Sequence, residues 1–285
     1  MGNSIDAKDF NLKYTAESGQ PLTFYSQYSK LNGTEHLSYI TAKGMVKLRL
    51  RNSKMSYLFE GEYTKRSAEK EIKERLGLED NLQHIYKRIN TDRFMERAIS
   101  ELHGMRITRN EPWEATLCFV ISQFNNIKRI RGIIHKMISE FGYEFNGVRL
   151  FPVPEAIAAS GIERIRACGM GFRDRYIKSV AEQFAHSFDP EKLYSMKYDD
   201  AKEELMQLDG IGDKVADCIL LFGYHKTEAF PIDTWVKRIM ERVYFNGRKK
   251  SIRQIHEFSE ERWGRCCGYA QQYIFWFGRG QKWTQ

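Results

Sequence analysis

The period of the hydrophobic pattern changes once along this chain, and that change limits the folds open to it. Up to about Glu62, apolar and polar residues alternate with period two. The clearest run is Val46-Lys47-Leu48-Arg49-Leu50-Arg51, the pattern of a half-buried antiparallel strand. Asp9–Thr15 alternates loosely, and Ser18-Gly19-Gln20-Pro21 breaks the run. Asn32-Gly33 signals a hairpin, and Tyr57 and Phe59 continue the alternation past a turn at Asn52–Lys54. The spacing predicts a small antiparallel sheet from about Asp9 to Glu62. From Ser67 the spacing is helical: Ala68, Ile72 and Leu76 share one face, with charged residues around it.

Helices are expected over Asp92–Leu102, Pro112–Gln123, Ile127–Phe141, Arg173–Phe188, Asp200–Leu208, Lys214–Phe222, Thr234–Val243, Ser251–Trp263 and Gly268–Trp276. Pro112 suits a first helical position, where its missing N–H costs nothing. There is no internal repeat and no low-complexity tract. Strands then helices, segregated along the chain, imply an α+β fold. The expected division is an N-terminal antiparallel sheet domain with flanking helices over 1–90, then an all-helical domain over 91–285.

A chain of 285 residues can bury substantial cores, and an apolar fraction of 42% does not suggest disorder. A net charge of +8 favours an acidic partner, with nucleic acid first, but a merely soluble basic protein fits the charge equally well. The five cysteines show no metal-ligand spacing, and the seven histidines form no pair with an intervening Glu, so no metal is expected. Scattered reduced thiols fit an intracellular protein. Met1–Asp9 lacks the apolar stretch of a signal peptide, and no apolar run reaches membrane-spanning length.

The stretch Leu205–Lys237, LMQLDGIGDKVADCILLFGYHKTEAFPIDTWVK, carries the chemistry. It reads as a helix packed by Leu205 and Leu208, a turn Asp209-Gly210-Ile211-Gly212, and a helix packed by Val215, Ala216, Ile219 and Leu220. Two glycines let the chain reverse tightly, and the amides at the next helix start form a phosphate site that reads no sequence. Lys214 sits in the first turn of that helix, where the dipole end is positive. Most lysines are plain surface groups; here the alternative is an amine that attacks a sugar carbon and forms a Schiff base. Asp233 before Thr234 is an ordinary N-cap, or else a carboxylate that stabilises positive charge on a sugar as its base leaves.

These segments resemble the helix-hairpin-helix DNA glycosylase superfamily (HhH-GPD). LDGIGDKVADCILLF followed by AFPIDTWVKR is similar to its 8-oxoguanine DNA glycosylase/AP lyase branch. The likeness extends to Ser18-Gly19-Gln20, to Arg109–Glu114 and Ser122–Ile130, to Gly169–Tyr176 and to Ala270–Phe275, in the expected order over roughly nine-tenths of the chain. It implies Lys214 and Asp233 as catalytic residues. It implies a base pocket of Gly19, Cys218, Gln271 and Phe275, completed by the C-terminal helix 268–276. Phe172 would be a wedge in the DNA helix, with Arg173, Arg129, Asn125 and Phe124 near the opposite base. Gly210, Gly212 and Trp235 would meet the DNA backbone. Trp235 stands where the family places a histidine, and Phe124 where it places an asparagine that reads the opposite cytosine. A phenyl ring neither donates nor accepts there, so weaker discrimination for cytosine is expected.

The resemblance implies a bifunctional repair enzyme that flips and excises 8-oxoguanine through a Lys214 Schiff base and then cleaves the strand by β-elimination. Its partner would be duplex DNA containing 8-oxoguanine. The protein would be a DNA-associated intracellular monomer with no membrane partner, no cofactor and no metal. Only Cys266 and Cys267 follow the hairpin, so the four-cysteine iron–sulfur cluster of other branches is not expected. Two rivals stay open: a glycosylase for other oxidised or alkylated purines on the same fold, and a non-catalytic DNA-binding module.

Overall fold

Alternating residues do build a sheet. The computed structural model describes residues 3–20, 23 and 28–281, and the strands are β1 (Ser4–Asp6), β2 (Ser29–Leu31), β3 (Thr34–Ile40), β4 (Gly44–Arg51) and β5 (Lys54–Gly61). All neighbours are antiparallel, in the order β1-β5-β4-β3-β2. On β4, Val46 pairs with Tyr39 and Phe59, and Leu48 with Leu37 and Tyr57. Val46, Leu48 and Leu50 point inward, while Lys47, Arg49 and Arg51 are exposed, as period two requires. Asn32 and Gly33 take positive φ between β2 and β3, the backbone that a two-residue hairpin needs. The helix Lys65–Arg75 lays Ala68 and Ile72 on the sheet.

The sheet differs from expectation at its start. Asp9–Thr15 is not a strand: Leu12–Glu17 is helical, and the Asn11 side chain accepts from the Tyr14 N–H as its cap. Seven loosely alternating residues cannot outweigh a local cap, and the outer strand is Ser4–Asp6 instead. Pro21 lies outside the described residues.

The rest is helical. Helices begin at Arg93, Pro112, Ile127, Asp174, Tyr198, Asp213, Thr234, Ile252 and Cys267, each within two residues of its expected start. Leu82–Ile89, capped by Asn81, and the short helices Pro154–Ala158, Ile162–Ala167 and Lys192–Ser195 had no clear sequence signal. A two-stranded ribbon, Glu144–Phe145 with Val148–Arg149, is a further addition. Two apolar cores result. The smaller takes residues from Ile5 to Leu76; the larger starts at Leu82 and also takes Ile40 and Met45 from the sheet. Pro112–Ser122, buried from Pro112 to Ile121, is the axis of the larger core and packs against the helix Asp213–Gly223. Among the described residues, no helix is long and apolar enough to cross a membrane.

A buried charge joins the two cores. Arg75, 2% exposed, donates to Glu114 at 2.8 Å, Asn110 at 2.9 Å and Glu71 at 2.6 Å. Arg75→Met would strand Glu114 without its cation and is expected to cost about 3–5 kcal/mol, read as a fall in denaturant midpoint. Burial, with Arg75 opposing it, pushes the Glu114 carboxyl from its ordinary 4.5 up to about 7. The folded value lies above the unfolded one, so this group's stabilising share is full below about 4.5 and is lost as pH rises through about 7. Glu114→Gln should flatten the dependence of Tm on pH across that window; an unchanged slope would discount the role of Glu114.

Candidate functional site

The hairpin links the helices Tyr198–Met206 and Asp213–Gly223, with Leu208 and Ile211 buried beneath the turn. The two glycines do different things. Gly210 has φ +77, and an added Cβ would lie 2.5 Å from Tyr176 Cγ, so only glycine fits. Its carbonyl accepts from Gln123 Nε2 at 3.0 Å. Gly212 has ordinary extended backbone (φ −95, ψ 179) and open space around it, so the expected need for two left-handed glycines is corrected to one. No side chain caps the helix that starts after Gly212, which leaves its first N–H groups open to an anion.

Lys214 stands in the first turn of that helix. It lines a small pocket with Gly19, Phe119, Cys218, Asp233, Gln271, Gln272 and Phe275, which brings both expected catalytic residues and the whole expected base pocket together. The Lys214 nitrogen lies 5.4 Å from the Phe119 ring centroid. Burial pushes the Cys218 thiol up to about 11, with the Lys214 charge opposing, so this wall is an uncharged thiol at neutral pH. Asp233 does cap the next helix: its Oδ1 accepts from the Val236 N–H at 2.7 Å. Its side chain still faces the pocket, so capping and charge are available together.

The pocket encloses about 60 Å³, room for a few waters and less than a purine occupies. Its lining comes from both ends of the chain, at Gly19 and at Gln271, Gln272 and Phe275. Gln271 Nε2 donates to the Pro231 carbonyl at 3.1 Å, while its Oε1 is buried without a hydrogen-bond partner. A buried acceptor left open is costly unless a ligand supplies a donor. Gly19 has φ +76 and a Cβ there would sit 3.2 Å from Phe275 Cε1, so glycine lets this turn touch the ring. Two glutamines that the sequence did not single out hold the turn. Gln272 Nε2 donates to the Ser18 carbonyl at 2.8 Å, and Gln20 bonds Thr15, Ser18 and the backbone at Arg106 and Thr108. Arg279 lies over both Phe275 (5.0 Å) and Trp235 (5.7 Å), tying the pocket ring to an exposed indole.

A second group lies at the turns Gln123–Asn126 and Gly171–Arg173. Phe124 is 91% exposed and Phe172 55%, with ring centroids 6.2 Å apart. Phe124 has φ +47, an unusual backbone for a bulky residue. Arg173 holds it there. Its guanidinium is 2% exposed and donates to the carbonyls of Gln123, Phe124 and Met170. Arg173 was expected at the opposite base; in this structure its donors are taken by backbone and it builds the loop that displays Phe124. Asn125 likewise turns inward, donating to the Ile121 carbonyl and accepting from the Asn126 N–H. Arg129 stays exposed, with only a long 3.5 Å contact to the Gly169 carbonyl.

The family model for HhH-GPD superfamily base excision DNA repair proteins matches residues 117–265. The chain belongs to this superfamily. Residues 4–116 match the 8-oxoguanine DNA glycosylase N-terminal domain. The two matches meet inside the helix Pro112–Ser122, whereas the apolar cores part between Leu76 and Leu82. Among HhH-GPD relatives, a probable N-glycosylase/DNA lyase of Methanothermobacter thermautotrophicus is 44% identical over 39% of this chain and 35% of its own. The N-glycosylase/DNA lyase of Saccharomyces cerevisiae is 30% identical over 70% of this chain and 63% of its own. The match thus spans less than two thirds of either relative. The 8-oxoguanine glycosylase/lyase of Clostridium acetobutylicum, solved with duplex DNA containing cytosine opposite 8-oxoguanine, superposes with a TM-score of 0.85 at 27% identity, over 98% of this chain and 97% of that one.

Proposed function

We propose that this protein is a bifunctional DNA repair glycosylase that excises 8-oxoguanine from duplex DNA and then nicks the strand as an AP lyase. The observation that carries the reading is one pocket in which the Lys214 amine, the Asp233 carboxylate and an unpartnered Gln271 acceptor converge. A base-sized ligand needs this pocket to open, which fits an enzyme that receives a base only after it leaves the helix. Phe172 and Phe124 are the exposed plates that would fill the gap, and the open amides after Gly212 would hold the backbone.

The chemistry follows from those groups. The Lys214 amine attacks C1′ of the extruded nucleotide, and the pair of the N-glycosidic bond leaves with N9 of the base. Asp233 stabilises the positive charge that develops on the sugar. Loss of the ring oxygen from C1′ gives the imine; removal of a C2′ proton then expels the 3′ phosphate, and water hydrolyses the imine to free Lys214. The Gln271 oxygen accepts from the Watson–Crick edge, Phe275 and the Cys218 thiol sandwich the ring, and Gly19 allows its backbone carbonyl to approach N7, which bears a proton only in 8-oxoguanine. A purine without that donor would leave the carbonyl unpaired.

Borohydride trapping on an 8-oxoguanine duplex tests the reading: a covalent protein–DNA adduct is expected, and its absence would refute the lyase. Opposite-base preference is a further expectation. With Phe124 in place of a hydrogen-bonding side chain, excision opposite cytosine should exceed excision opposite other bases only weakly. Phe124→Asn should raise that preference by roughly 5- to 100-fold, the worth of a good base contact. Strong cytosine preference in the native protein would contradict this.

A further inference from the structure

The first turn of the Lys214 helix has no side-chain cap, yet it carries the residue whose position matters most. Uncapped turns fray, and leaving these amides open for a phosphate forbids the usual remedy. Instead, two carboxylates on the face beside Lys214 are gripped from the preceding helix. Lys202 Nζ lies 2.8 Å from Asp213 Oδ1 and 2.9 Å from Asp217 Oδ1. Asp217 is fully buried, and its Oδ1 also accepts from the Tyr198 hydroxyl at 2.5 Å. From the helix Ile252–Trp263, His256 Nε2 stands 3.7 Å from Asp213 Oδ2 and 3.5 Å from Asp217 Oδ2. Two carboxylates and an imidazole at this spacing would suit a divalent cation, but the Lys202 ammonium already supplies a cation to both carboxylates.

We infer that Lys202 is a positioning residue for the reaction: through Asp213 and Asp217 it replaces the missing cap and pins the turn that aims Lys214 at the sugar. Lys202 does not line the Lys214 pocket, so it acts only through this turn. The arrangement separates two jobs that a cap would merge. The amides stay free for DNA, and rigidity comes from the hairpin's first helix through Lys202.

The inference rests on Lys214 being the nucleophile, so trapping by the native protein comes first; without an adduct, that reading fails and the role of Lys202 is not what failed. Given native trapping, Lys202→Met should slow single-turnover excision and trapping by roughly 10- to 100-fold, the effect of a small misplacement of a reacting group. Affinity for a duplex carrying a tetrahydrofuran abasic analogue should stay unchanged, and Lys202→Arg should restore the rate. Amide hydrogen exchange should speed up at residues 213–216 and not at 219–222. Because Lys202→Met strands a buried carboxylate, Lys202→Met/Asp217→Leu removes both buried charges and should regain native Tm while the rate stays low. A native rate in Lys202→Met or in Lys202→Met/Asp217→Leu, or unchanged exchange at the first turn, overturns the inference.

Discussion

Lys214→Gln is expected to yield no borohydride-trapped adduct and to lower 8-oxoguanine excision by roughly three orders of magnitude or more, as loss of a nucleophile does. The substitution shortens the side chain by one atom but keeps an unbranched stem and a polar tip beside Phe119, so the packing of the pocket should survive. It forfeits one cation–π contact worth about 0.5–1 kcal/mol, too little to unfold a protein with two apolar cores. Tm and affinity for an abasic-analogue duplex should therefore stay near native while chemistry stops. An adduct that persists in this variant would place the nucleophile on another amine.

Asp233→Asn separates the observed cap from the proposed electrostatic role of the same side chain. The carboxylate caps the helix Thr234–Tyr244 through the Val236 N–H, and it faces the Lys214 pocket. Asparagine is as good an N-cap as aspartate, so stability should hold. The negative charge beside the developing sugar cation is lost, and excision should fall by roughly 10²- to 10³-fold. Asp233→Ala should add a loss of about 1 kcal/mol in stability, because the cap goes too. If Asp233→Asn left the rate native, Asp233 would be a cap and nothing more.

The comparison of sequence with structure divides by range. Helix starts were legible where a cap or a proline stands before a long apolar stripe, as at Asp92, Pro112, Asn126, Asp233 and Ser251. Strand β4 was legible because its alternation runs unbroken. Asp9–Thr15 was misread because loose alternation over seven residues is weak beside the Asn11 cap. Leu82–Ile89 went unread although Asn81 caps it, since eight residues offer little more than two turns of pattern.

By itself, then, the sequence determined what depends on neighbours in the chain: the sheet-then-helix order, the hairpin, Lys214 in a first helical turn, and Asp233 at a cap. It also supplied the motif order that assigns the superfamily. Only the tertiary structure decided which polar groups are free and which are taken, because that depends on partners far away in the chain. Arg173 carries suitable donors for a base, but a backbone carbonyl 50 residues away claims them. Gln271 keeps one acceptor open because Pro231 satisfies only its amide nitrogen, and Lys202 reaches the Lys214 helix across the hairpin. A side chain's type sets what bonds it can make; the fold sets which of them remain for DNA.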